Sequence, residues 1–142
     1  VYRSPEYCRI QSRQIDLPEY QLSEESPYLR AGLARELVES FVRQIYPRQV
    51  QQTLIRLDDV AMLTIPGEMF TELSIDFKAR AKELGIRTPM ILGLANDSIG
   101  YLPSPAGYFE PGYETGMCVY GPNLGAGLID AGLEDLASLY SD

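Results

Sequence analysis

The stretch "QQTLIRLDDVAMLTIPGEMFTELSIDFKARAKELGIRTPMILGLAN", residues 51–96, holds the elements that decide the fold. Two runs rich in apolar and β-branched residues, 51–57 and 60–65, flank the pair Asp58-Asp59. This pattern is typical of a β-hairpin with a two-residue turn. Pro66-Gly67 then breaks the second strand, because proline cannot donate to a strand ladder.

A helix and a third strand are predicted in the rest of this stretch. From Met69 onward apolar residues recur with helical spacing, and Gly85 supplies a left-handed stop. The run "PMILGLA", residues 89–95, is continuously apolar and predicts a strand covered on both faces. The apolar positions of the helix are Phe70, Leu73, Phe77, Ala81 and Leu84.

The flanking segments extend this α/β pattern. "YCRIQSRQIDLP", residues 7–18, alternates loosely and ends at a proline, as an edge strand does. Ser26-Pro27 is a helix start, and apolar residues at every fourth position predict a helix of about five turns that ends at Pro47. These positions are Leu29, Leu33, Leu37, Phe41 and Ile45.

The last helix is predicted over residues 123–140 and contains Gly125, Gly127 and Gly132. Each glycine weakens a helix by about 1 kcal/mol relative to alanine, so we expect these positions to pack closely against another backbone. The element order β-α-β-β-α-β-α predicts an α/β fold with a layered mixed β-sheet and about three helices. One domain is expected over residues 1–142, because a chain of this length rarely forms two.

Composition narrows the possible functions. The net charge is −8, which disfavours nucleic acid as a partner, and no run reaches the roughly 18 apolar residues of a transmembrane helix. The sequence has no histidine, which excludes a Ser-His-Asp triad and any histidine-based zinc site built from this chain alone. The only cysteines, Cys8 and Cys118, could form one disulfide or remain free.

Two features have both a structural and a chemical interpretation. Glu68 directly precedes a helix, where a carboxylate either complements the helix dipole or belongs to a site at a strand end. The loop at residues 92–114 carries Tyr101, Tyr108 and Tyr113, which either fill the loop or present phenols to a metal or an oxyanion. The glycine-rich segment at residues 121–132 fits no nucleotide-binding fingerprint.

Four segments taken together resemble the last part of the catalytic domain of the neutral ceramidases, the neutral/alkaline non-lysosomal ceramidase family. The similarity extends over about residues 54–122. The segments are "IPGEMFTELSIDFK" (65–78), "MILGLAN" (90–96), "GYLPSPAGYFEPGYE" (100–114) and "VYGP" (119–122).

The resemblance implies a zinc site. Family members hold zinc with two histidines, the glutamate of a Pro-x-Glu turn and a tyrosine from the loop after the next strand. By position these last two ligands are Glu68 and Tyr101, while Tyr113 corresponds to a tyrosine that stabilises the amide oxyanion. Asn96, Ser98 and Tyr108 are expected to contact substrate. Both histidines must come from outside this chain.

The resemblance therefore implies part of a zinc-dependent amide hydrolase for lipid-like N-acyl amides such as ceramide. A His-bearing N-terminal part of the catalytic domain would be its partner. The chain begins with Val1, which is expected of a processed chain or a fragment. The alternative is a non-catalytic domain that binds or oligomerises, and a third interpretation is a small-molecule site walled by the tyrosine loop. A soluble protein is expected, secreted or periplasmic by family resemblance.

Overall fold

The computed structural model describes residues 4–139, which form a four-stranded mixed sheet with helices against it. Its strands are β1 (Cys8–Asp16), β2 (Gln49–Leu57), β3 (Val60–Thr64), β4 (Glu68–Met69), β5 (Thr88–Leu92) and β6 (Tyr101–Leu102). Its helices are α1 (Pro27–Arg30), α2 (Arg35–Ile45), α3 (Thr71–Glu83), α4 (Tyr113–Gly116) and α5 (Leu124–Ser138), with a 3₁₀ turn at Gly107–Phe109. The predicted α/β layering is confirmed, as are the second and third of the three predicted helices.

The sheet has the strand order β1-β2-β3-β5. The first two pairings are antiparallel, and α3 connects β3 to β5 as parallel neighbours. The hairpin turn is confirmed, because Leu57 lies opposite Val60 and Asp58 has a φ of 50°. The Asp58 carboxylate also accepts the backbone N–H of Tyr7 at 2.8 Å, which ties the start of edge strand β1 to the turn.

Helices α3 and α5 cover one face of the sheet and form the core. Leu54, Leu63 and Phe77 are completely buried there. Gly132 of α5 lies so close to the Leu63 side chain that any added Cβ would collide with it. The buried Asp135 carboxylate of α5 pairs with the guanidinium of Arg13, whose pKa it raises through their hydrogen bond. This pair joins the edge strand β1 to the helix layer.

The glycines of α5 behave differently from one another. A Cβ at Gly125 would lie 2.5 Å from the Leu73 side chain and 3.1 Å from the backbone oxygen of Pro103, so the predicted close approach to a backbone is found there together with a closer side-chain contact. Gly132 approaches a side chain rather than a backbone, and Gly127 has nothing within 4 Å, so the prediction is wrong there. The predicted end of this helix at Tyr140 lies outside the described residues.

The helix predicted from Ser26 to Pro47 is two helices. The chain leaves α1 at residues 31–34, where Gly32 has a φ of +88° and Ala34 is extended. The left-handed glycine ends the first turn, because its conformation cannot continue a right-handed helix. Val38 and Val42 are the buried residues of α2, while the apolar stripe that predicted the helix is largely exposed.

The second face of the sheet is open among residues 4–139. Ile10, Ile55, Met62 and Met90 are direct cross-strand partners, so they form one apolar row across all four strands. Ile10 and Met90, at its two ends, are exposed. The expectation that β5 is covered on both faces is therefore wrong, because α3 and α5 pack on the opposite side.

No helix within residues 4–139 has the length and apolar character needed to cross a membrane.

Both cysteines are free thiols in different environments, so we expect them to react at very different rates. Cys8 is exposed, whereas Cys118 is 1% exposed and burial raises the pKa of its thiol. Ellman's reagent should modify Cys8 at least about two orders of magnitude faster, since Cys118 reacts only after local opening of the core. Cys8→Ser should leave no fast-reacting thiol, and two equally fast thiols in the native protein would contradict the prediction.

Candidate functional site

Two short parallel strands that the sequence did not reveal, β4 and β6, bring Glu68 and Tyr101 together. In this pair Glu68 is the direct partner of Tyr101, and Met69 is the partner of Leu102. The Glu68 N–H donates to the Gly100 carbonyl at 2.9 Å. Directly opposed residues in neighbouring strands project to the same face. The carboxylate and the phenol therefore lie side by side.

The Pro66-Gly67 turn determines where this strand pair forms. Ile99 donates its N–H to the Pro66 carbonyl at 2.8 Å. A Cβ at Gly67 would lie only 2.6 Å from the Gly100 oxygen, so the two backbones approach more closely than any other residue allows. The pair follows the ends of parallel strands β3 and β5, the edge at which open α/β sheets place their sites.

Gly67→Ala is expected to destabilise the fold by about 1–3 kcal/mol, because the new methyl group overlaps the Gly100 oxygen, which the Glu68 N–H holds in place by a hydrogen bond. Urea denaturation measures the change. Gly127→Ala is the matched control, since its Cβ would enter open space on a helix and should stabilise by about 0.5–1 kcal/mol. Equal stability of Gly67→Ala and the unchanged protein would show that the close backbone approach at Gly67 does not require glycine.

Glu68, Tyr101 and Glu114 line one open cleft of about 370 Å³. Tyr113, the first residue of α4, stands beside it with its ring centroid 5.9 Å from that of Tyr101 and an interplanar angle of 79°. The Tyr113 side chain is 65% exposed, so its hydroxyl is accessible to a ligand. Three of the sequence-predicted site residues are thus neighbours.

The electrostatics of the cleft favour a cation. Desolvation raises the pKa of the Tyr101 phenol, and the negative charges of the Glu68 and Glu114 carboxylates raise it further. Both carboxylates act on the phenol with the same sign. A bound cation would reverse their effect on Tyr101, because a positive charge stabilises the phenolate.

The donor atoms present fit part of a zinc site. Carboxylate oxygen is an established zinc ligand, and a phenolate oxygen can bind once the cation lowers its pKa. Zinc takes three protein ligands in catalytic sites. No group of three His, Cys, Asp or Glu side chains that could hold a metal occurs within residues 4–139, and the sequence has no histidine. A zinc site at this cleft would therefore need ligands beyond Glu68 and Tyr101.

The other predicted substrate-contacting residues lie away from the cleft lining. The amide nitrogen of Asn96 is within hydrogen-bond distance of the Gln51 carbonyl and the Thr64 hydroxyl, both at 3.2 Å. Ser98 is exposed, and its N–H donates to the Asp97 carboxylate. Tyr108 is 7% exposed and packs its ring in the loop. Their contacts with substrate remain predictions.

Glu114 is the cleft residue that the sequence interpretation missed. It lines the cleft with Glu68 and adds negative charge near Tyr101. The available signal was its position directly after Tyr113, at the start of α4. One turn of helix places two consecutive side chains on different faces, so the spacing alone did not indicate which of them faces the cleft.

No protein-family model matches the chain, and no curated protein matches its sequence. Solved structures do match its fold. The neutral ceramidase from Pseudomonas aeruginosa superposes with a TM-score of 0.65 at 18% identity over 92% of this chain. A ceramidase complexed with C2 superposes with a TM-score of 0.61 at 22% identity over 68% of this chain.

The matched region is a minor part of each of those proteins. It spans 28% of the Pseudomonas aeruginosa chain and 16% of the chain complexed with C2. At this level of identity the similarity concerns the fold. The described residues therefore have the fold of a segment of the neutral ceramidases.

Proposed function

We propose that this chain is the C-terminal portion of a ceramidase-like catalytic domain that hydrolyses N-acyl amides with zinc. The observation that carries the proposal is the direct pairing of Glu68 with Tyr101, with Tyr113 next to them, within a ceramidase-like fold. Two histidines from a segment outside this chain complete the ligand set. The substrate class is a lipid-like amide, in keeping with the names of the structural neighbours.

Each of the cleft residues has a distinct role in the proposal. Glu68 and Tyr101 hold the metal, which when bound acts as a Lewis acid toward water and the amide carbonyl. The Tyr113 hydroxyl donates a hydrogen bond to the carbonyl oxygen as negative charge develops on it. The amide enters through the open mouth of the cleft that Glu68 and Tyr101 line. Glu114 adds negative charge that strengthens cation binding.

The reading frame ahead of Val1 provides the first test. The proposal expects an upstream segment that carries two histidines, and the joined protein should contain stoichiometric zinc by elemental analysis and hydrolyse an N-acyl amide. The 142-residue chain alone should do neither. A gene with only a start codon ahead of Val1 would overturn the proposal of a hydrolase. The alternative of a non-catalytic domain that binds or oligomerises would then be favoured.

Tyr113→Phe is expected to lower kcat of the joined protein by about 10²–10³-fold, the effect of removing one oxyanion donor. Zinc content should stay unchanged, because Tyr113 is not proposed as a ligand. Steady-state kinetics and elemental analysis measure the two quantities. Loss of zinc in this variant would assign Tyr113 to the metal rather than to the oxyanion.

The open sheet face supports the alternative function. The apolar row from Ile10 to Met90 would be covered in a binding or oligomerisation module, because exposed apolar patches commonly mark interfaces. Light scattering of the 142-residue chain shows whether the chain self-associates through this row. A concentration-independent dimer that dissociates in Ile10→Lys favours the module, and a monomer contradicts self-association.

A further inference from the structure

The loop between β5 and β6, residues 93–100, carries the chain from the sheet to Tyr101. Three of its residues lie in the left-handed backbone region, with a φ of 53° at Leu94, 73° at Asn96 and 81° at Gly100. Asparagine and glycine adopt this region readily, whereas a leucine in it is strained. A strained residue persists only where the surrounding structure holds it. The contacts of this loop therefore determine where Tyr101 lies.

The first anchor of the loop is apolar and lies just before Tyr101. Ile99 is completely buried and belongs to the core. Its N–H donates to the Pro66 carbonyl at 2.8 Å, and the N–H of Ala95 donates to the Ile65 carbonyl at 3.0 Å. These bonds attach the loop to the segment that follows β3. Residues 96–98, between the two bonded positions, are exposed.

Asn96 provides a second anchor, which is polar. Its side-chain nitrogen lies 3.2 Å from the Gln51 carbonyl, 3.3 Å from the Thr53 hydroxyl and 3.2 Å from the Thr64 hydroxyl. Gln51 and Thr53 belong to β2, and Thr64 belongs to β3. A single side chain of the loop therefore contacts two neighbouring strands of the sheet.

The two hydroxyls that Asn96 contacts belong to a polar row across the sheet. Ser12 of β1 is the direct partner of Thr53, and their hydroxyls form a hydrogen bond at 2.9 Å. The Thr64 hydroxyl accepts the backbone N–H of Thr53 at 2.7 Å. Thr64 follows the buried Leu63, and consecutive strand residues point to opposite faces. The row therefore lies on the open face, and Asn96 attaches the loop to it from that side.

The hydrogen bonds of Asn96 are directed to the sheet rather than to the cleft. An amide nitrogen has two N–H groups, and three sheet acceptors lie within their reach. Asn96 is outside the set of residues that line the Glu68–Tyr101 cleft. It lies four residues before Gly100, whose carbonyl accepts the Glu68 N–H at 2.9 Å. That bond belongs to the pairing of β4 with β6, so the position of the loop affects the pairing directly.

We propose that Asn96 is a positioning residue that fastens the 93–100 loop to the open face and thereby holds Tyr101 opposite Glu68. Ile99 fixes the loop from the core side, and Asn96 fixes it from the other side. Without the Asn96 side chain, the strained loop is released on one side, and the β4–β6 pair opens more often while the rest of the domain stays folded. The consequence for zinc and catalysis rests on the proposed function, whereas the anchoring itself does not.

Hydrogen exchange of Asn96→Gly, measured by NMR on the 142-residue chain, tests the anchoring. Glycine retains the left-handed conformation and removes only the side chain. The amides of Glu68 and Phe70, which donate to the Gly100 and Leu102 carbonyls, should exchange at least about fivefold faster, as expected for the loss of one or two hydrogen bonds. Amides in the middle of α5 should keep their exchange rates, which also shows that the variant folds.

Ser98→Ala is the matched control in the same loop. Ser98 is exposed, and its hydroxyl has no hydrogen-bond partner within residues 4–139, so the exchange of every amide should stay unchanged. An unchanged rate at Glu68 in Asn96→Gly would overturn the proposal. Equally faster exchange in α5 would also overturn it, because Asn96 would then stabilise the whole domain rather than the strand pair.

Zinc affinity of the joined protein separates positioning from substrate contact. Asn96→Gly should weaken zinc binding at least about tenfold in competition with a chelator, the scale found for residues that orient metal ligands, and should leave KM for an N-acyl amide unchanged. A raised KM with unchanged zinc affinity would instead make Asn96 a substrate contact and overturn the proposal. The exchange experiment requires neither zinc nor hydrolysis. A joined protein without zinc would therefore count against the proposed function, while faster exchange at Glu68 would still support the anchoring.

Discussion

Glu68→Gln is expected to remove both zinc and amide hydrolysis from the joined protein. The carboxylate is one of the two zinc ligands that we propose for this chain, and Tyr101, its direct strand partner, cannot replace it. A metal contributes several kcal/mol of transition-state stabilisation, and 1.4 kcal/mol corresponds to a tenfold rate change. We therefore expect kcat/KM to fall on the order of 10³-fold or more.

Tyr101→Phe should produce the same pair of losses, because it removes the phenol oxygen and leaves the ring in place. Glu72→Gln is the matched control for Glu68→Gln, since Glu72 is an exposed carboxylate in the first turn of α3 outside the cleft lining. Elemental analysis and steady-state kinetics follow all three variants. Full zinc content in Glu68→Gln would refute the ligand assignment.

The second large effect concerns stability. Phe77→Ala should lower the free energy of unfolding by about 3–5 kcal/mol, because Phe77 is completely buried between α3 and the sheet and its loss leaves a cavity. This is a large fraction of the roughly 5–15 kcal/mol that stabilises a typical domain.

Ile75→Ala provides the comparison within the same helix. Ile75 is exposed, so its truncation should change stability by less than about 0.5 kcal/mol. Urea denaturation of both variants measures the difference. A Phe77→Ala cost below about 1 kcal/mol would show that α3 does not pack against the sheet as described.

Local sequence patterns predicted the main elements because their signals lie within a few residues. The Asp58-Asp59 turn, the stop at Gly85 and the edge strand that ends before Pro18 all follow from backbone preferences. The helix break at Gly32 was missed, since the fourfold spacing of leucines continues on both sides of it. A glycine indicates a possible left-handed residue but does not require one.

The candidate site was predictable only through the family resemblance. Glu68 and Tyr101 are far apart in the chain, and strands of two residues have no hydrophobic pattern that sequence reasoning can detect. Their pairing depends on the close backbone approach at Gly67, which appears only in three dimensions. That Glu114 lines the same cleft also became visible only in the three-dimensional structure.

The sequence by itself determined the order of the longer elements and the helix-covered core, because periodicity and turn residues are local properties. For the proposed zinc site, the lack of histidine also determined that further ligands must come from outside this chain. The tertiary structure decided which surfaces remain open. The stripe on α2 and the row from Ile10 to Met90 are apolar in the sequence, as core residues are. The packing of α3 and α5 on one face of the sheet leaves the row uncovered, and the burial of Val38 and Val42 leaves the stripe on the exposed side of α2.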